Sequence, residues 1–115
     1  MKKIAILNCL KANQNCSGNG CFKALNERSG GFELYKDEEV EVTAFTRCSN
    51  CGKTTDEDEG MKKKLDRIAD VGTETVHIGV CARAKDGTPC RFMQSHADYL
   101  ESRGVEVIWK THAAH

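Results

Sequence analysis

Seven cysteines and four histidines in a chain of 115 residues are the side chains best able to do chemistry. Two of them, Cys48 and Cys51, stand as Cys-x-x-Cys in the stretch FTRCSNCGKTTDEDEG, after an apolar run and before a glycine and a group of acids. Thiolates at that spacing bend round one metal ion, and they also form the reversible pair of a thiol-disulfide enzyme. Soft sulfur donors select zinc, Cu(I) or an iron-sulfur cluster over magnesium or calcium, and the spacing matches no ferredoxin run, which favours zinc. A disulfide scaffold explains such a cysteine content only in secreted chains, and an odd number leaves one thiol over. Cysteine is also a small apolar residue common in cores, an account that suffices for one thiol and strains at seven.

The rest of the composition narrows the setting of those thiols. With 39% hydrophobic residues the chain supports one domain with a single core, expected over residues 1–112 with a tail at 113–115. Lysine plus arginine, 17, cancel aspartate plus glutamate, 17, so no net field holds a nucleic-acid backbone or an anionic membrane. The opening MKKIAILNCL sets lysines before an apolar run as a secretory signal does, but the run breaks after Leu10 and no small-residue cleavage site follows. No stretch is long enough to cross a bilayer. The expected compartment is the cytoplasm, where thiols stay reduced.

Periodicity supplies the elements that must position the thiols. Four short runs rich in Val, Ile and Thr predict strands: Lys3 to Asn8, Val40 to Thr46, Thr75 to Val80 and Val105 to Lys110. A helix is predicted where Met61, Leu65, Ile68 and Ala69 recur, with Thr55 and Asp58 as a capping box, acids in the first turn and Gly72 at the stop. A second has Thr88 as N-cap, Pro89 at the first helical position, Phe92, His96, Tyr99 and Leu100 facing inward, and Gly104 at the end. A third, short one begins near Cys21 and stops at Gly30-Gly31. Strands alternating with helices predict a three-layer α/β domain with a mostly parallel four-stranded sheet, flavodoxin-like or Rossmann-like, in the order 2-1-3-4. Ligands of such sheets sit beyond the carboxyl ends of the strands.

All seven cysteines fall at that edge. Cys9 follows the first strand, Cys48 and Cys51 the second, and Cys81 the third, while His112 follows the fourth by two residues. Cys16 and Cys21 lie in the loop and helix start after the first strand, and Cys90 is expected at the second position of the last helix. The leading metal ligands are therefore Cys48, Cys51, Cys9 and Cys81, supplemented by Cys90, Cys16, Cys21 and His112. Eight donors are the count for two tetrahedral ions. His77, inside a strand, and His96, facing inward on a helix, read instead as hydrogen-bonded core histidines. His115 reads as merely terminal. Arg83, Lys85 and Asp86 read as a solvated loop. A phosphatase loop would need arginine six positions after its cysteine, and those places hold Asn15, Thr54, Gly87 and His96. No Gly-x-Gly-x-x-Gly follows the first strand, so nucleotide binding has no support.

These residues together resemble the CGGC-domain family of small prokaryotic proteins. The resemblance rests on a first strand ending in Cys9, then Cys16 and Gly20-Cys21-Phe22, Cys48-Ser49-Asn50-Cys51, His77 to Cys81, Pro89-Cys90 and Thr111-His112. Ser49 and Asn50 depart from it, standing where the name-giving motif has two glycines, while both cysteines are kept. The resemblance implies metal binding and supplies no substrate. The alternatives to a zinc site are an iron-sulfur protein and a thiol-disulfide enzyme using Cys48 and Cys51.

Overall fold

Strand β1, Lys2–Asn8, is the spine of the fold, and its side chains alternate between two cores. Ala5 and Leu7 face a core shared with Met61, Leu65, Ile68, Met93, Ala97 and Leu100, whereas Ile4 and Ile6 face Cys21, Ala24, Leu25, Phe32 and Tyr35. A strand covered on both faces must be apolar at nearly every position, which is why β1 reads as a continuous run rather than an alternation. Each large aliphatic side chain buried there contributes about 1.5–3 kcal/mol. The structure, a computed structural model, describes residues 1–112; the tail expected at 113–115 and His115 lie outside the described residues.

The sheet is completed by β2 (Val40–Arg47), β3 (Thr75–Ile78) and β4 (Glu106–Ile108), all parallel and in the order β2-β1-β3-β4, as the alternation of elements predicted. Helices α2 (Glu59–Asp70) and α3 (Arg91–Ser102) cover one face, and α1 (Asn19–Glu27) with the 3-10 turn Gly30–Tyr35 covers the other. The β1–β2 ladder contains a bulge. Ile4 pairs with Val42 but Ala5 pairs with Ala44, leaving Thr43 as the extra residue, and Thr43 Oγ1 donates to the Ile4 carbonyl at 3.1 Å.

Several boundaries differ from the expected ones for local reasons. Strand β3 stops at Ile78, because Val80 to Ala82 close into a 3-10 turn, so Cys81 lies within that turn. Strand β4 pairs only with the short β3 and ends at Ile108 rather than Lys110. Thr54 and Glu57, not Thr55 and Asp58, form the capping box, on a 3-10 turn, and Asp58 caps α2 by accepting from the Met61 amide. Helix α3 begins at Arg91 because the residues before it are already paired with another segment. Thr88 O accepts from the Ala84 amide at 2.9 Å and the Cys90 amide donates to Ala82 O at 2.8 Å. Cys90 is thus the N-cap, extended in φ and ψ, and the buried face of α3 carries Met93, His96, Ala97 and Leu100, while Phe92 and Tyr99 are only half-buried.

The chain beyond β4 is held by His77, which is fully buried. The backbone carbonyl of Lys110 can only accept, so His77 Nδ1 is the donor in the 2.9 Å contact, leaving Nε2 to accept from the Tyr35 hydroxyl at 2.7 Å. The same segment is gripped from the α1 face, where the Gly31 amide donates to Thr111 O at 2.7 Å. Gly31 lies so close to the Lys110 carbonyl that a methyl group there would overlap it.

Burial depresses the His77 and His96 pKa values below the ordinary 6.5, so the folded protein keeps both rings neutral. The unfolded chain then binds more protons, and the contribution of these groups to stability is present above about pH 6.5 and lost as pH falls through the folded values. Urea unfolding at about pH 7.5 and pH 5 should show lower stability at the acid end, and His77→Gln should flatten part of that dependence.

Candidate functional site

Where β1 ends, the alternation of its side chains divides the donors between the two faces of the sheet. Asn8 continues the parity of Ile4 and Ile6 toward α1, and Cys9 continues that of Ala5 and Leu7 toward α2 and α3. The ladder with β2 runs one step past both strands, the Cys48 amide donating to Asn8 O at 3.3 Å, which sets Cys48 beside Cys9. Cys51 follows on the turn that leads away, and Cys90 arrives as the N-cap of α3. Cys9, Cys48, Cys51 and Cys90 together line a cavity of about 20 Å³, closed by Leu10, Phe92 and Met93 among others.

An adjoining cleft of about 360 Å³ shares Cys9, Cys51 and Cys90 and adds Cys81. The Cys81 sulfur accepts from the Cys9 amide at 3.2 Å. Gly79 makes that position possible: a methyl group there would overlap the Asn8 carboxamide oxygen and come within 3.2 Å of the Cys81 sulfur. A wider cleft of about 500 Å³ at the amino end of the sheet holds Glu38, Glu39 and Glu74 and no cysteine.

The remaining donors lie elsewhere. Cys21 is buried on α1, where its thiol donates to Thr111 Oγ1 at 3.2 Å and Asn8 Nδ2 approaches it at 3.7 Å. His112 packs its imidazole against Gly20, on the same side as Cys21. Cys16 is half-buried, and its carbonyl accepts from Arg47 Nη2 at 2.9 Å. Neither Cys16, Cys21 nor His112 lines either cysteine cavity. His77 and His96 are core residues with hydrogen-bond partners, Tyr35 and Lys110 for the first and Thr55 for the second, as their positions suggested.

All seven cysteines are free thiols, and among the described residues no three His, Cys, Asp or Glu side chains stand together as ligands of one ion. Their surroundings differ. Burial pushes the Cys48 thiol up to about 11, and it donates to Met93 Sδ over 4.0 Å. Burial also raises Cys81, against the opposing pull of the Cys9 amide. Cys51, by contrast, is exposed. Reasoning from sequence ranked Cys81 above Cys90 and overlooked Asn8. The return of the loop between Cys81 and Cys90 has no sequence signature, whereas a polar residue ending the apolar β1 was a visible signal for Asn8.

The CGGC domain family matches residues 3–112. The chain is 36% identical, over 117 aligned residues, to an uncharacterized protein of Methanocaldococcus jannaschii, an alignment covering 96% of this chain and 86% of that one. No solved structure matches it.

Exposure and thiol acidity together order the reactivity of the cysteines. In reduced, metal-free protein at neutral pH, alkylation followed by peptide mass mapping should modify Cys51 first, with Cys48 and buried Cys21 at least about tenfold slower. Equal rates at Cys48 and Cys51 would contradict the burial described.

Proposed function

The chain belongs to the CGGC domain family, and we propose that it is a metal-binding protein that takes a soft ion, zinc, on Cys9, Cys48, Cys51 and Cys90. The observation that carries this reading is the four-cysteine cavity. Its volume, about 20 Å³, suits one water-sized body, and the ionisable side chains that line it are all cysteines. The family and the seven cysteines are consistent with metal binding at the coarser level. Cys81, at the wall of the adjoining cleft, is the nearest reserve ligand, and Cys16, Cys21 and His112 line neither cysteine cavity.

Loading asks specific changes of these residues. The Cys48 thiol must give up its proton and its contact with Met93, and the four side chains must turn toward a common point. Ligands from the ends of β1 and β2, from the turn after β2 and from the start of α3 would then be joined, so binding adds to folding free energy. A closed four-thiolate site supplies structural stability rather than a reactive open position. Thiolate ligands suit a reducing compartment such as the cytoplasm. Among the described residues no helix is long and apolar enough to cross a membrane.

One observation favours a second reading. Exposed Cys51 and buried Cys48 have the asymmetry of an attacking and a resolving thiol. In that case the Cys51 thiolate attacks a substrate disulfide, releasing one thiolate, and Cys48 displaces the second, leaving a Cys48–Cys51 disulfide and a substrate reduced by two electrons.

Elemental analysis of protein purified without oxygen, with an absorption spectrum and a free-thiol count on the same sample, separates the readings. We expect near-stoichiometric zinc, a featureless visible spectrum, thiols shielded from alkylation, and a lower melting temperature after chelation. Visible absorption with iron would name an iron-sulfur protein. No metal after reconstitution, with freely titrating thiols and an oxidisable Cys48–Cys51 pair, would overturn metal binding in favour of the enzyme.

A further inference from the structure

A second cleft, of about 280 Å³, opens beside the cysteine cleft, walled by Arg83, Ala84, Lys85, Trp109 and Lys110 among others. Arg83 and Ala84 also line the cleft that holds Cys9, Cys51, Cys81 and Cys90, so the two share a wall. Lys11 lines the cysteine cleft as well, and no carboxylate lines either one. In a chain whose formal charges sum to zero, this concentrates positive charge on one side of the thiols. The one nearby acid on the loop, Asp86, is engaged with its own backbone, accepting from the Thr88 amide at 2.9 Å.

Arg83 is set for a ligand by its surroundings. Its guanidinium lies over the Trp109 ring, 5.6 Å from the centroid, a cation–π contact that holds the side chain at the cleft wall. Its Nε is buried and has no hydrogen-bond partner among the described residues. An unpartnered buried donor is unfavourable, and an oxyanion that takes Nε together with one Nη would satisfy it.

We propose that this cleft binds a small organic anion of the carboxylate or phosphate class, its charged end held by Arg83 with Lys85 and Lys110 and the rest of the molecule lying along the shared wall toward Cys81 and Cys51. At about 280 Å³ the cleft is close to the lower end of the size range of small-molecule sites, which suits a small ligand. Its anionic preference comes from the basic lining, with Arg83 held against Trp109. The loop read from sequence as merely solvated thereby becomes the entry to the thiols, which a ligand bearing both an anionic group and a sulfur would reach. The site goes beyond the metal reading and does not depend on it.

Trp109 is the chain's single tryptophan, so its fluorescence reports this cleft directly. Reduced, metal-free protein is titrated with mercaptoacetate, with inorganic phosphate and with uncharged mercaptoethanol, and the same titrations are followed by calorimetry. We expect a saturable response to at least one anion, none to mercaptoethanol, and weakening of roughly tenfold or more in Arg83→Gln and in Arg83→Lys, which keeps the charge but loses the fork. Response to mercaptoacetate assigns the carboxylate class and response to phosphate the phosphate class. No saturable response to either anion, an equal response to mercaptoethanol, or unchanged calorimetric affinity in Arg83→Gln would overturn the proposal. The variant Cys48→Ser, which removes one of the proposed metal ligands and lines neither of these two clefts, should bind the anion unchanged, so that failure of one reading is told apart from failure of the other.

Discussion

The register between β1 and β2 is the constraint on which the cysteine cleft depends. Side chains alternate along a strand, so a slip of one residue sends every side chain of that strand to the opposite face. The bulge at Thr43 performs such a one-residue step, turning the pairing Ile4 with Val42 into Ala5 with Ala44, and from there Asn8 pairs with Arg47. Cys48 therefore comes to lie next to Cys9 on the α2–α3 face. Thr43 bonds to the Ile4 carbonyl and to Thr73 Oγ1 at 2.6 Å, so the side chain of the extra residue is itself partnered. Bulges re-aim side chains near functional sites, and here the consequence falls four residues on, at the ends of both strands.

The opposite face of the sheet is ordered by different means. His77 and Tyr35, deep between β3 and the Gly30–Tyr35 turn, anchor Lys110, and the Gly31 amide anchors Thr111. Those bonds bring Thr111 to Cys21 and His112 to Gly20. Cys9, Cys48, Cys51 and Cys90 thus share a cavity of ionic size on the α2–α3 side, whereas Cys21 is buried on the α1 side.

Much of this was legible in the sequence, and the limits of legibility were physical. Strand order followed from the alternation of elements, and the concentration of thiols beyond the strands followed from the strand-like runs that end just before Cys9, Cys48 and Cys81. Core roles for His77 and His96 followed from their place in the pattern. The start of α3 was misjudged because Thr88-Pro89 has the composition of a helix start, whereas its backbone is already bonded to the segment around Arg83. That loop carries Cys90 into the cavity and Arg83 into the adjoining cleft, and its course is set by tertiary bonds that no local propensity records. The bulge at Thr43 was equally hidden, since Thr is at home in a regular strand.

X-ray absorption at the zinc edge of the loaded protein tests the central claim most directly. The account predicts a shell of four sulfurs at about 2.3 Å, reduced to three in Cys90→Ser and unchanged in Cys21→Ser. A shell dominated by oxygen or nitrogen, or one that loses a sulfur in Cys21→Ser and not in Cys90→Ser, would contradict it.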